Sequence, residues 1–290
     1  MEENVVKKEV DKPAKITKCL NCGTVFEGNF CPNCGQRADV SRFTVSFIFS
    51  NFMLAILSND GGIWITLKSL FTHPGQMMVD ILDGKRKSYF SPFPMLALAL
   101  SLYVLIFTFT GSKNMDYDHI FNDETTEVSI DSEEIDDDQI IVEKAKHFVV
   151  DVLQFYANNY ATAYLFTIPV YILAARVSFG KKYRKRYNWG EYCIPIVYSL
   201  ILIVIYKCLV SIVYHFSPDV ADVMENWIIA IQIIVFTACF RKMFDFSVVK
   251  MLWRSFLALM LYVVFMFTII CLVAIVIIVL FVLANPEYFG

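Results

Sequence analysis

The sequence predicts an all-α integral membrane helical bundle of about five transmembrane helices, preceded by a small module built on cysteines. Three observations carry this. The composition is apolar: of 290 residues, 57% are hydrophobic and 18% charged, against roughly 25% charged in a soluble domain. Five long apolar runs, at residues 93–110, 160–179, 192–214, 223–240 and 255–284, fill most of the chain after residue 92. Finally, Cys19, Cys22, Cys31 and Cys34 form two C-x-x-C-G units in a polar leader.

Residues 1–18 are rich in Glu and Lys, lack an aromatic side chain and are expected to be a disordered tail. No apolar stretch followed by a small-residue cleavage site occurs in the leader, so no removable secretory signal is expected. The leader should then stay on the side of the membrane where it is made.

Residues 19–36 read as a minimal zinc ribbon. Thiolates are soft, charged donors, and two C-x-x-C turns bring four of them to one tetrahedral ion, with the following Gly23 and Gly35 permitting the tight backbone. Thr24-Val-Phe26 and Phe30 flank Glu27-Gly28-Asn29, which predicts a short hairpin between the knuckles. Cys19, Cys22, Cys31 and Cys34 are therefore the candidate metal ligands, and the expected ion is structural Zn2+. Iron in a rubredoxin-like site would use the same four ligands. A redox pair fits less well, because two tandem copies stand without a βαβ pattern. Catalytic zinc would need an open coordination position, which four thiolates do not leave. A unit this small cannot bury enough apolar area to fold alone, so metal binding should supply its folding free energy.

Residues 43–91 are expected to form amphipathic pre-membrane helices. Residues 43–58 are uncharged and apolar but about 16 long, where a span needs about 20; an interfacial or core-packed helix is expected, with a short span as the alternative. Asn59-Asp-Gly-Gly62 and His73-Pro74-Gly75 are breakers, and His73 reads as a turn residue. Lys85-Arg86-Lys87 precedes the first long run, and three basic residues there mark the cytoplasmic face.

These residues also carry a resemblance. The ribbon Cys19-x-x-Cys22-Gly23 with Phe30 through Gln36, and downstream Asp60, Gly61, Thr66, Leu67, Pro74, Gly75 and Gly84 through Lys87, resemble an uncharacterised bacterial family of multi-pass membrane proteins with an N-terminal four-cysteine ribbon and a Gly-Lys-Arg signature. The resemblance covers the first third of the chain. It implies architecture and membrane localisation and supplies no reaction, since that family is a domain of unknown function. The short helices before the first span are also similar in topology to the five-span Yip family.

Residues 92–290 should form the five-span domain. Its connections alternate in charge: an acidic loop at 111–139, then Lys181-Lys182-Tyr-Arg184-Lys185-Arg186, then a segment without Lys or Arg, then Arg241, Lys242, Lys250 and Arg254. By the positive-inside rule the N-terminus is expected to be cytoplasmic and the C-terminus extracytoplasmic, and the resemblance implies that the membrane is a bacterial cytoplasmic one. The acidic loop is expected to be solvated and disordered, as a run of like charges is, and calcium binding is not expected because the D-x-D-x-D-G pattern is absent. After it, Ile141, Ala145, Phe148, Val152 and Tyr156 recur at helical spacing.

Lys207 is an ionisable residue inside a span, about 10 Å from Tyr214 at helical rise and within snorkelling reach. Glu225 or Asp222, with Gln232 deeper, are its candidate partners, and a structural ion pair is expected. No hydrolytic or transfer motif occurs and the four histidines are isolated, so no enzyme is expected. The expected function is a membrane protein whose zinc ribbon is a protein-interaction module or scaffold; the alternative is a transporter or channel subunit using Lys207 and outer acidic residues. The bilayer and a cytoplasmic protein partner or second copy are the expected partners. Nucleic acid is not among them, since Glu27 and Asp39 offset the nearby Lys15, Lys18, Arg37 and Arg42, with no interleaved aromatic row.

Overall fold

The structure is a computed structural model and describes residues 16–44, 62–110, 160–244 and 246–284. Most of the expected interfacial stretch 43–58, the acidic loop and the helical pattern at 141–156 lie outside the described residues.

Within these, a two-stranded antiparallel sheet, β1 (Thr17–Lys18) and β2 (Val25–Phe26), is followed by helices throughout. Helix α1 (Ile63–Thr72) and α2 (Pro74–Leu82) are separated by His73, where Pro74 at the first helical position starts a new helix instead of continuing the old one. Next come α3 (Pro92–Thr110), α4 (Tyr160–Phe179), the short basic α5 (Lys181–Arg186), α6 (Trp189–Phe216), α7 (Pro218–Asn226), α8 (Ile228–Phe244) and α9 (Val248–Ala284).

Helix α6 is the centre of the bundle, packed by α3, α4, α7, α8 and α2. Its start is specified by sequence: Asn188 accepts from the Glu191 N–H at 2.9 Å while Glu191 accepts from the Asn188 N–H at 2.9 Å, a complete capping box. Most of its residues from Gly190 to Val204 are buried. A helix apolar all round is what a central position requires. Helix α3 runs alongside, with the Tyr198 hydroxyl donating to the Phe90 carbonyl at 2.6 Å near its start. Phe236, Phe240 and Phe244, four apart on α8, stack with Phe179 of α4 at ring distances of 4.3–6.2 Å. Between α8 and α9 the Thr237 and Ser255 hydroxyls lie 2.8 Å apart, satisfying polar groups that hydrocarbon would leave unpaired.

Among the described residues, three helices, Pro92–Thr110, Trp189–Phe216 and the Val248–Val276 part of α9, are long and apolar enough to cross a membrane, and a fourth candidate span results if α7 and α8 are taken together. That pair is bent by 50°. The apolar run expected at 223–240 is thus broken at Trp227, because Asp219, Asp222 and Glu225 make α7 polar where α8 is apolar. The expected run at 160–179 is helical as α4, of which 166–179 counts as a shorter apolar helix. Outward-facing Leu102, Leu105 and Phe109 of α3 and Val264, Phe267 and Leu272 of α9 are exposed, which suits a bilayer and not water.

The pre-membrane helices are core-packed. Met77, Met78 and Ile81 of α2 are buried, and α2 lies against α8. At the crossing a Cβ on Gly75 would stand 2.8 Å from the Ala238 carbonyl oxygen and 3.0 Å from Cγ of Lys242, so the absence of a side chain on Gly75 lets α2 approach α8 closely.

Candidate metal centre

The ribbon is built from two copies of one turn. In the first, the Cys19 N–H donates to the Thr24 carbonyl at 2.8 Å and the Gly23 N–H to the Cys19 carbonyl at 2.9 Å; in the second, Cys31 bonds Gln36 and Gly35 bonds Cys31, both at 2.8 Å. Gly23 and Gly35 have φ of 79° and 72°, the left-handed conformation that closes such a turn.

Each turn folds its flanking residues onto each other. Thr17 pairs with Phe26 and Lys18 with Val25 around the first knuckle, while Phe30 bridges Arg37 around the second. The expected hairpin joining the two knuckles is therefore replaced by one hairpin around each. The knuckle hydrogen bonds decide this, since they already reverse the chain before Glu27-Gly28-Asn29 is reached.

The two turns bring the four Sγ atoms of Cys19, Cys22, Cys31 and Cys34 within 4.8 Å of one another. The nearest pairs join the first cysteine of one knuckle to the second of the other: Cys19 to Cys34 at 3.6 Å and Cys22 to Cys31 at 3.5 Å. With metal–sulfur bonds of about 2.3 Å, the edge of a tetrahedron is about 3.8 Å, so the cluster suits one tetrahedral ion. All four are free of disulfides. The first cysteine of each knuckle is buried and the second more open.

The Thr24 hydroxyl, 3.3 Å from the Cys22 sulfur, and the Thr24 N–H hold the Cys22 thiol down to about 6. Burial pushes Cys34 up to about 11, partly offset by the Gln36 N–H.

The ribbon does not stand apart from the helices. The Gln36 side chain, 6% exposed, donates to the Gly84 carbonyl at 2.9 Å and accepts from the Arg86 and Lys87 N–H groups at 3.1 and 3.2 Å. The Asn21 side-chain amide oxygen Oδ1, inside the first knuckle, accepts from the Ser88 N–H at 3.2 Å and from the Ser88 hydroxyl at 2.8 Å. Arg86 bonds the Ser41 carbonyl and lies over the Phe43 ring, 3.8 Å from its centroid. Arg42 reaches Glu191 of α6 with two bonds of 2.7 and 2.6 Å.

The residues that carry the sequence resemblance thereby acquire structural reasons. Gly84, at φ 104°, faces Leu20 so closely that a Cβ would stand 2.7 Å from its Cδ1. The Thr66 hydroxyl, buried at the start of α1, accepts from the Phe90 N–H at 2.7 Å. Of the interface residues, Glu191 was the one with a local signal, the N-x-x-E pattern before an apolar run. Asn21, Arg42 and Ser88 had none.

Far from the ribbon, Lys207 of α6 forms an ion pair with Glu225 of α7, and the Tyr206 hydroxyl donates to the Met224 carbonyl at 2.6 Å. The expected pairing of Lys207 with Glu225 is thus present. The four cysteines are distant in sequence from this pair, and no described contact links the two sites.

No curated protein and no solved structure matches the chain. A family model described as a protein of unknown function (DUF3667) matches residues 60–104. That segment contains α1, α2, the 84–88 loop and most of α3. Over it, the chain is similar to a family of unknown function, and the matched segment is the one on which the cysteine ribbon rests.

Proposed function

We propose that the chain is a multi-pass protein of a bacterial cytoplasmic membrane, with a structural zinc ribbon that serves as a protein-interaction module or scaffold on the cytoplasmic face. The observation that carries this reading is the two-sided ribbon. One side is fixed to the 84–88 loop, while Ile16, Val25 and Phe30 on the hairpins are 66%, 63% and 61% exposed. Apolar side chains displayed on a metal-braced module are surface for another protein, either a cytoplasmic partner or a second copy of this chain. Four thiolates close the coordination sphere, and the reading assigns no reaction to the chain.

The orientation is supported by charge. Lys181, Lys182, Lys185, Arg186, Arg241, Lys242 and Lys250 are all exposed. They lie in α5, in the last turn of α8 and in the first turn of α9, and these segments meet where Tyr183 packs on Phe246 at 5.0 Å. Excess Lys and Arg at one end of a bundle marks the cytoplasmic side. Crosslinking and purification from native membranes test the function. A double variant Val25→Asp, Phe30→Ser that keeps its metal should lose its partner; undiminished recovery of that partner would contradict the reading.

A second reading has its own observation: Lys207 and Glu225 stand beside the 50° break between α7 and α8, and broken helices next to charge are where transporters bind ions. In that reading the chain is a transporter or channel subunit and the ribbon is regulatory. Reconstituted vesicles decide between the two, since a flux abolished by Lys207→Met belongs to transport alone.

A further inference from the structure

The residues that grip the membrane domain are part of the metal-binding turns themselves. Asn21 lies between Cys19 and Cys22, and Gln36 follows Cys34 by two positions. The Gln36 backbone closes the second knuckle by accepting from the Cys31 N–H at 2.8 Å. Two side-chain amides fixed by the cysteine turns thus supply five hydrogen bonds to residues 84–88. Leu20, also inside a knuckle, packs on Gly84.

The ribbon has little else to hold these groups in place. Its buried apolar cluster consists of Cys19, Phe26 and Cys31, with Cys34 and Ala38 packed at the edge. Two of those three side chains are metal ligands. A core of this size does not persist without the ion, and when it opens Asn21 and Gln36 lose the backbone that aims them.

The receiving side leads into the bundle. Residues 84–88 join α2, which packs on α8, to α3, which packs on α6. Just beyond the ribbon, Arg42 binds Glu191 in the capping box that starts α6. The ribbon therefore contacts a connection between helices of the bundle.

We propose that the four-cysteine site is a metal-dependent clamp: the bound ion holds Asn21, Gln36 and Arg42 on residues 84–88 and Glu191, and its loss releases the ribbon from the membrane domain. This rests on the metal-binding reading of the cysteines and adds to it a coupling between metal occupancy and helix packing. Coupling is reciprocal, so whatever strengthens the dock also tightens the metal. The matched 60–104 segment is then the receptor for the ribbon, which assigns a role to its Gly-Lys-Arg-Lys-Ser stretch.

The test uses the full chain in detergent micelles, with zinc as the probe. Amide hydrogen exchange is followed at residues 84–91 with zinc bound and after a chelator has removed it; protection at the Arg86, Lys87 and Ser88 amides should fall on removal. Zinc affinity, measured by competition with a chromophoric chelator, should weaken on the order of ten-fold in Ser88→Ala, Glu191→Gln double variants, whose changed side chains lie outside the cysteine turns. Unchanged exchange after zinc removal, or wild-type affinity in the double variant, would overturn the clamp while leaving the metal site standing. A wild-type chain that binds no zinc would overturn both.

Discussion

Arg42 and Glu191, 149 positions apart, form a bidentate ion pair with bonds of 2.7 and 2.6 Å. The Arg42 side chain is 65% exposed and that of Glu191 6%, so the pair carries a charged group from the ribbon's edge into the start of α6. Glu191 meanwhile accepts from Asn188, and one carboxylate serves both the helix cap and the inter-module contact.

Loss of either contact should therefore be felt by the other. Arg42→Ala leaves a buried carboxylate with its cap bond and should destabilise by about 1–3 kcal/mol. Asn188→Ala should cost about 1 kcal/mol as a lost cap. Because Glu191 is shared, the double variant should depart from the sum of the singles, as thermal unfolding in detergent would show.

Gly84 and Gly180 separate a backbone effect from a packing effect. Both have positive φ, 104° and 82°, but a Cβ at Gly180 meets nothing within 4 Å, whereas one at Gly84 meets Leu20 at 2.7 Å. Gly180→Ala should cost about 1–2 kcal/mol for the left-handed conformation alone. Gly84→Ala should cost more and should also expose the 84–88 amides to exchange. Leu20→Ala in the same chain should recover the excess, because the clash is with a side chain.

Asp80 gives the account a pH dependence. Burial alone would raise its carboxyl, but the Lys85 ammonium at 3.0 Å, the Gln76 amide and the Tyr89 hydroxyl outweigh it and hold the group below its ordinary value of 3.8. A depressed folded value means that the stabilisation is complete above the unfolded value and is lost as pH falls through the folded one. Unfolding of the full chain should therefore become easier as pH falls below about 4, and Asp80→Asn should flatten that slope.

Lys207 and Glu225 should behave as a unit. Removing one charge leaves the other partly buried without its partner, so Lys207→Met or Glu225→Gln alone should lower the melting temperature. The double variant should lie closer to wild type than either single. A double variant worse than both singles would show that these groups have separate roles.

The four-cysteine cluster was legible because a C-x-x-C turn is local: its chemistry, its glycine and its spacing lie within five residues. Helix α6 was legible as the apolar run at 192–214, while the N-x-x-E start that begins it at Trp189 was not read from the sequence. The strand pairing was misjudged because Glu27-Gly28-Asn29 looks like a turn, while the reversal belongs to the Cys19 and Cys31 hydrogen bonds. The break at Trp227 was hidden by averaging polar α7 with apolar α8. The contacts of Asn21, Gln36 and Arg42 join residues 48 to 149 positions apart, and no local pattern announces them.

Metal analysis of the purified full chain tests the central claim most directly. The account predicts one ion per chain, a thiolate charge-transfer spectrum typical of tetrahedral coordination when cobalt replaces it, and loss of both in Cys31→Ser. A chain without metal, or a Cys31→Ser variant that keeps its ion and its spectrum, would contradict it.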